Sequence, residues 1–261
     1  MLNTSDQRVE AYLDAIQYKY KTESKAKIVS LGHVIGIYHP QSIVQPWPRS
    51  FQYHLEFFSS DQSPAKVQTE IGDYLKENPQ EYVLTIFSDQ LNTVIPAYKA
   101  NGYLHAWNNV LMEHKLQSGL SDLQLPVDVE IRDIRTTQDV SAINALDPDY
   151  PSSTNGLEDE SIINLMVLYR GEVSAKAQAL ILKPPFAYIA DMYTQPRYRR
   201  KGLSAALLQK IHYIAQRKGC KQMILMPSKM TREIELYQKY TYQEVNQMAL
   251  LIPTYSALKT A

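Results

Sequence analysis

At 261 residues the chain has room for one large or two modest domains, each able to bury a core of its own. Its 27 Lys and Arg cancel its 27 Asp and Glu, so no global field draws it to nucleic acid or to an anionic membrane, and neither partner is expected. The lone Cys220 excludes an internal disulfide and reads as a core residue, and no apolar run resembles a signal sequence or is long enough to cross a bilayer, so a cytoplasmic protein is the expectation.

In chain order, a T-x-x-Q pattern at Thr4 and Gln7 predicts a capping box for a first helix with Val9, Tyr12, Leu13, Ile16 and Tyr20 on one face. The polar stretch Lys21 to Lys27 ends it. Ile28 to Tyr38, interrupted by Gly32 and Gly36, reads as one strand with a bend or bulge, and Gln45-Pro46-Trp47-Pro48 as a rigid connector. A strand at Phe51 to Phe58 follows, then a helix from Pro64 to about Asn78, a strand at Tyr82 to Phe87, a short helix through Ala97-Tyr98, Gly102, and a strand from Tyr103 to Met112. The polar segment Leu116 to Asp128 is the best linker, which divides the chain into 1–120, a linker at 121–128, and 129–261.

Beyond it, Val129 to Ile134 reads as a strand, Thr136 to Asp139 caps a helix to about Leu146, and Asp147 to Asp159 is loop. A hairpin spans Asn164 to Tyr169 and Val173 to Leu182, turning at Arg170-Gly171-Glu172. Ala187 to Thr194 is then a strand, and Leu203, Ala206, Leu207, Ile211 and Ile214 form the apolar stripe of a helix that stops at Gly219. Between them stand Arg197, Arg199, Arg200, Lys201 and Gly202. Unpartnered N–H groups at a helix start, a dipole, a glycine that admits close approach and four cations suit a pyrophosphate; the alternative is a solvated basic turn. Neither G-x-x-x-x-G-K-S/T nor G-x-G-x-x-G is present.

The two halves repeat the order strand, helix, strand, helix, strand. One fixed offset lays Tyr98 on Tyr237, Tyr103 on Tyr242, Leu84 on Met223, Ile86 on Leu225 and Ile95 on Ile234, which reads as an internal duplication. The same offset puts Ser60, Asp61, Gln62, Ser63 and Ala65 where Arg199, Arg200, Lys201, Gly202 and Ser204 stand. An acidic, glycine-free turn disfavours a pyrophosphate, so the first copy is expected to serve structure. The six histidines (His33, His39, His54, His105, His114, His212) have no metal-ligand spacing, and no metal is predicted.

The strand, the run Arg199-Arg200-Lys201-Gly202-Leu203-Ser204 and the helix resemble the GNAT superfamily of acyl-CoA-dependent N-acyltransferases, whose signature is R/Q-x-x-G-x-G/A between such elements. Pro196-Arg197-Tyr198-Arg199 upstream and Leu236-Tyr237-Gln238-Lys239-Tyr240-Thr241-Tyr242 downstream extend the likeness. Ser204 replaces a usual glycine or alanine, and Thr241 replaces a usual glycine, where a threonine makes left-handed backbone costly and predicts a different local turn. The resemblance implies an α/β (α+β) fold of two GNAT-like domains in tandem, each a mixed, largely antiparallel sheet flanked by helices, the first degenerate. It implies acetyl-CoA as cosubstrate, with backbone N–H groups of Arg199, Arg200, Lys201, Gly202, Leu203 and Ser204 on the pyrophosphate and Met192, Tyr193 and Thr194 beside the pantetheine. Tyr237 would be the acid that protonates the leaving thiolate, Asp191 a base for the amine, and the Asp147 to Asp159 loop the place of acceptor selection. The acceptor would be a small-molecule amine or a protein amino group, and the protein a monomer or homodimer. A non-catalytic acyl-CoA sensor is the alternative; Thr241, and Met230 where the family's asparagine would fall, keep it open.

Overall fold

The computed structural model describes residues 6–45, 51–61, 63–117, 119, 125–227 and 232–254. The chain divides into two compact units, one of Met1–Met112 with Pro227–Ala261, the other of Glu113–Met226. This division departs from the one drawn at residues 121–128. The reason lies in strand pairing: the last strand of the chain, Gln243–Pro253, pairs antiparallel with Tyr82–Phe87 of the first half, Met248 opposite Phe87 and Leu251 opposite Leu84. The C-terminal segment therefore completes the first unit's sheet.

The first unit opens with helix α1 (Gln7–Ser24), capped by Asp6, whose carboxylate accepts from the Arg8 N–H at 3.0 Å; Thr4, the cap expected from sequence, lies outside the described residues. Ile28 to Tyr38 is two strands, β1 (Lys27–Leu31) and β2 (Val34–Gln45), because Gly32 at φ +60° turns the chain between them. Then follow β3 (Phe51–Ser59), α2 (Pro64–Glu77), β4 (Tyr82–Phe87), α3 (Leu91–Ala100) and β5 (Tyr103–Lys115), whose last three residues belong to the other unit. Of the expected connector, Pro46-Trp47-Pro48 lies outside the described residues. β1, β2 and β3 pair antiparallel, and β3 and β4 parallel. One face of this sheet packs Leu55, Phe57, Tyr82, Leu84 and Ile86 against Val67 and Ile71 of α2 and Val94 and Tyr98 of α3.

In the second unit β6 (Val129–Asp133), α4 (Thr137–Leu146), β7 (Ile162–Tyr169), β8 (Glu172–Leu180), β9 (Phe186–Thr194), α5 (Leu203–Arg217) and β10 (Gln222–Leu225) follow. Here β6, β7, β8 and β9 pair antiparallel in sequence, and β10 joins β9 in parallel. Thr136 and Asp139 close the expected capping box on α4. Leu203, Ala206, Leu207 and Ile211 are buried, as the helical stripe predicted; Ile214 is only half-buried and Ala215 takes the buried position in that turn, and Gly219 sits past the helix end at φ +86°.

Helix α6 (Arg232–Lys239) and β11 (Gln243–Pro253) return to the first unit. There the two copies can be compared side by side. The Tyr98 and Tyr103 rings meet at 5.7 Å and 67°, their counterparts Tyr237 and Tyr242 at 5.7 Å and 63°. Between the tyrosines of each pair, Gly102 has φ +83° and Thr241 φ +62°. The turn is thus kept in the second copy, contrary to expectation, with a β-branched residue held in left-handed backbone at a cost of about 1 kcal/mol or more.

Glu56 on β3 sits in the same unit with only partial exposure. Burial pushes its carboxyl up to about 7, while the Thr85 hydroxyl, donating to it at 3.2 Å, pulls the other way.

Thr241→Asn, which tolerates the left-handed backbone, should raise the unfolding free energy by about 1 kcal/mol in a urea titration; no gain would mean that the turn is not strained. The Glu56 proton is held more tightly in the folded state, so its stability contribution is intact below the ordinary carboxylate range and is lost as pH rises towards 7. Glu56→Gln should accordingly stabilise by on the order of 2 kcal/mol at pH 8 and be nearly neutral at pH 4, read from urea midpoints at both. Equal effects at the two pH values would refute the burial account.

Candidate active site

The second unit's distinctive feature begins in β9. Lys176 on β8 pairs with Tyr193 and Gln178 with Ala190, so Asp191 and Met192 together oppose Ala177. That is a β-bulge, and Asp191 pays for it with φ +49°. A bulge bends its strand and adds twist. On the other edge the parallel ladder with β10 runs from Phe186 opposite Gln222 to Ile189 opposite Leu225, where β10 ends, whereas β9 continues to Thr194. Asp191 is exposed; Met192, Tyr193 and Thr194 are half-buried.

After β9 the Gln195 N–H donates to the Ser174 carbonyl at 3.0 Å, and Pro196–Tyr198 makes a single 3-10 turn. Arg200 at φ +64° and Gly202 at φ +78° then bring the chain into α5. A Cβ on Gly202 would touch only Pro126 Cγ, at 3.5 Å, so conformation rather than space demands glycine here. The first intrahelical bond is Ala206 N–H to Gly202 O at 3.0 Å, and no side chain caps the helix. The N–H groups of Leu203, Ser204 and Ala205 therefore open the helix ahead of that first bond, in the arrangement that binds anions. Ser204 Oγ and Thr194 Oγ1 lie 3.0 Å apart and tie the helix start to the strand end. Serine at this position is a link, not a mere small residue.

The cations around the turn are exposed but not idle. Arg197 donates to Gln195 Oε1 at 2.7 Å, lies over the Tyr198 ring and approaches Glu172 at 3.5 Å; the Tyr198 hydroxyl donates to the same Glu172 carboxylate. Arg199 Nε donates to Thr194 O at 3.2 Å, and Lys201 Nζ stands 5.0 Å over the Tyr169 ring. Glu172 is thus a partner for the basic turn as well as a hairpin residue.

Sequence reasoning missed Lys176. It is 2% exposed, pairs with the Asp147 carboxylate at 2.9 Å and donates to Tyr150 O at 2.5 Å. Asn144 and Ser152 exchange two hydrogen bonds at 3.1 and 2.7 Å, so the start of the expected selection loop is clamped to β8 beside the bulge. The signal was available: one lysine inside the apolar run V-S-A-K-A-Q-A-L must find a buried carboxylate.

Tyr237 lies on α6, in the other compact unit from the basic turn, 7% exposed and edge-on to Tyr242. Burial, with Glu233 nearby, raises its phenol well above the usual range, so it stays protonated at neutral pH. In the first copy the corresponding turn answers its own N–H groups. The Asp61 carboxylate accepts from Ser63 N–H at 2.8 Å, the Asp61 N–H donates to Ser59 Oγ at 3.1 Å, and Lys66 approaches that carboxylate at 3.7 Å. Ser63, at φ −92°, lacks the left-handed geometry of Gly202.

Cys220 is buried, and burial raises its thiol. His114 and His212 stack at 4.6 Å, and burial, with His114 adding to it, pushes His212 down to about 3. Among the described residues no group of three or more His, Cys, Asp or Glu side chains could hold a metal, and no helix is long and apolar enough to cross a membrane.

Residues 129–242 match the acetyltransferase (GNAT) family. No curated protein matches the chain. Among solved structures, a GCN5-related N-acetyltransferase from Kribbella flavida is similar over 95% of this chain and 94% of its own, at 15% identity and a TM-score of 0.65. A second, from Sphaerobacter thermophilus, is similar over 91% and 84%, at 12% identity and 0.60. A tandem GNAT protein from the clavulanic acid biosynthesis pathway is similar over 96% of both chains, at 8% identity and 0.54. At such identities the likeness establishes the fold. Residues 129–242 thus match the acetyltransferase (GNAT) family, and nearly the whole chain shares the fold of those structures, one of which is a tandem GNAT protein.

Proposed function

We propose that the chain moves an acyl group, acetyl in the first instance, from acyl-CoA to a primary amine by direct attack in a ternary complex. The observation that carries this reading is the left-handed Gly202 at the open start of α5, directly after a bulged strand that outruns its parallel neighbour. The turn of Arg199 to Ser204 takes the pyrophosphate on backbone N–H groups, with Arg199, Arg200 and Lys201 adding charge. The pantetheine arm lies along Met192, Tyr193 and Thr194, and a backbone N–H of this stretch faces the oxyanion.

The amine nitrogen bonds to the thioester carbon, the C–S bond breaks, the amine loses a proton, and the thiolate gains one. Asp191 is the proposed acceptor of the amine proton, directly or through water. Tyr237, protonated at neutral pH, is the proposed donor to sulfur. The clamped loop from Asp147 to Ser152 forms a wall for the acceptor, a small-molecule amine or a protein amino group. A domain that binds acyl-CoA without turning it over is the second reading; threonine in place of the usual glycine at position 241 raised it from the sequence, and the turn retained there takes that support away.

Calorimetric titration with acetyl-CoA and CoA should give one saturable site per chain for the wild type and no binding for Gly202→Glu, whose carboxylate repels the pyrophosphate. Gly202→Asn, compatible with left-handed backbone, checks that charge and not misfolding is responsible. Retained binding in Gly202→Glu would remove the proposed site. Tyr237→Phe should lower turnover by about 100-fold against a panel of amines and peptides while CoA binding holds; undiminished turnover would take the acid role from Tyr237.

A further inference from the structure

Residues Leu125, Pro126 and Val127 precede β6 and lie outside the stretch that matches the family. Val127 is 84% exposed and Leu125 38%, which puts an apolar segment on the surface of a unit whose other described Leu, Ile and Val residues are buried or half-buried. The segment is not loose. Val129 N–H donates to Pro126 O at 3.2 Å, Arg170 N–H donates to Asp128 O at 2.9 Å, and the Arg170 guanidinium binds the Asp128 carboxylate at 3.0 Å. Asp128 takes φ +66° to make this turn. Such bracing costs backbone strain and returns no apolar burial for Val127.

Its position gives the segment a use. Pro126 Cγ stands 3.5 Å from the place of a Cβ on Gly202, so the apolar segment borders the phosphate turn itself. On the same turn Lys201 lies over Tyr169, whose neighbour Arg170 braces the segment. A cationic turn and an exposed apolar ledge side by side match a ligand with a phosphate joined to a flat, poorly hydrated ring. Of the parts of acyl-CoA, the adenosine end answers that description.

Resting on the acyl-CoA reading above, we propose that Leu125, Pro126 and Val127 form the ledge on which the adenine ring of the cosubstrate packs, so that the segment before β6 sets preference for the full nucleotide. The test compares CoA with 4′-phosphopantetheine, which lacks the nucleotide, by calorimetry on the full chain. Wild type should bind CoA more tightly. Val127→Ser, and the double variant with Leu125→Ser, should weaken CoA by about fivefold or more and leave phosphopantetheine within about twofold, since only ring burial is lost. Both positions are exposed, so the variants fold. Unchanged CoA binding, or equal weakening of both ligands, would overturn the ledge while the acyl-CoA reading stands. Failure of the wild type to bind CoA would overturn both.

Discussion

The second unit depends on one event in its backbone: the extra residue in β9. Two residues of β9 against one of β8 turn the strand, and the parallel ladder with β10 ends just before that point. Everything chemical then follows within a dozen residues. The strand end delivers Thr194 to Ser204, Gln195 is pinned to Ser174, and two left-handed residues swing the chain into α5 with its first N–H groups uncapped. A straight strand of the same sequence would have kept its neighbour and would have carried those groups elsewhere. The strain at Asp191 and Arg200 is local, and the sheet and helix on either side fix it, while Gly202 adopts its left-handed backbone without strain.

The duplication read from the sequence sets two turns at corresponding positions against each other. Both halves carry the helix-to-strand turn with its pair of tyrosines in nearly identical geometry and all four rings buried, Tyr98 and Tyr103 within the core of the first unit. The turns before α2 and α5 are free of that demand. In the first copy the carboxylate of Asp61 satisfies a backbone N–H that an external anion would otherwise take, and Tyr98 donates to Asp61 O at 2.9 Å, fixing the loop further. In the second copy glycine and cations hold the turn open. The same position has become a closed structural turn once and an anion-ready turn once.

Much of this was legible in residues. Helical stripes, the Thr136 capping box, Pro64 at the start of α2 and the Gly202 turn all act locally, through φ preferences and hydrogen bonds within a few residues. What escaped was non-local or cooperative. Nothing in Ile28 to Tyr38 distinguishes a bulge from a hairpin until Gly32 is seen to take φ +60° with Glu70 against His33. The bulge at Asp191 has no glycine to mark it. The clamp of Lys176 on Asp147 spans residues far apart in sequence, and the turn at Thr241 keeps a conformation its residue disfavours because the packed tyrosines on both sides require it.

The least legible feature was which strand completes which sheet. β11 follows α6 in the second copy, yet it lies along β4, where Ala249 and Leu251 join Leu55, Leu84 and Tyr98 in one core. Every residue of β4 is buried, so this strand has no face suited to water. A strand buried on both faces also needs both edges occupied, or its N–H and C=O groups face solvent beside apolar side chains. β3 supplies one edge in parallel and β11 the other in antiparallel pairing. Ending the chain after the first 120 residues would strip the first unit of the strand that pairs with β4 and adds Ala249 and Leu251 to its core.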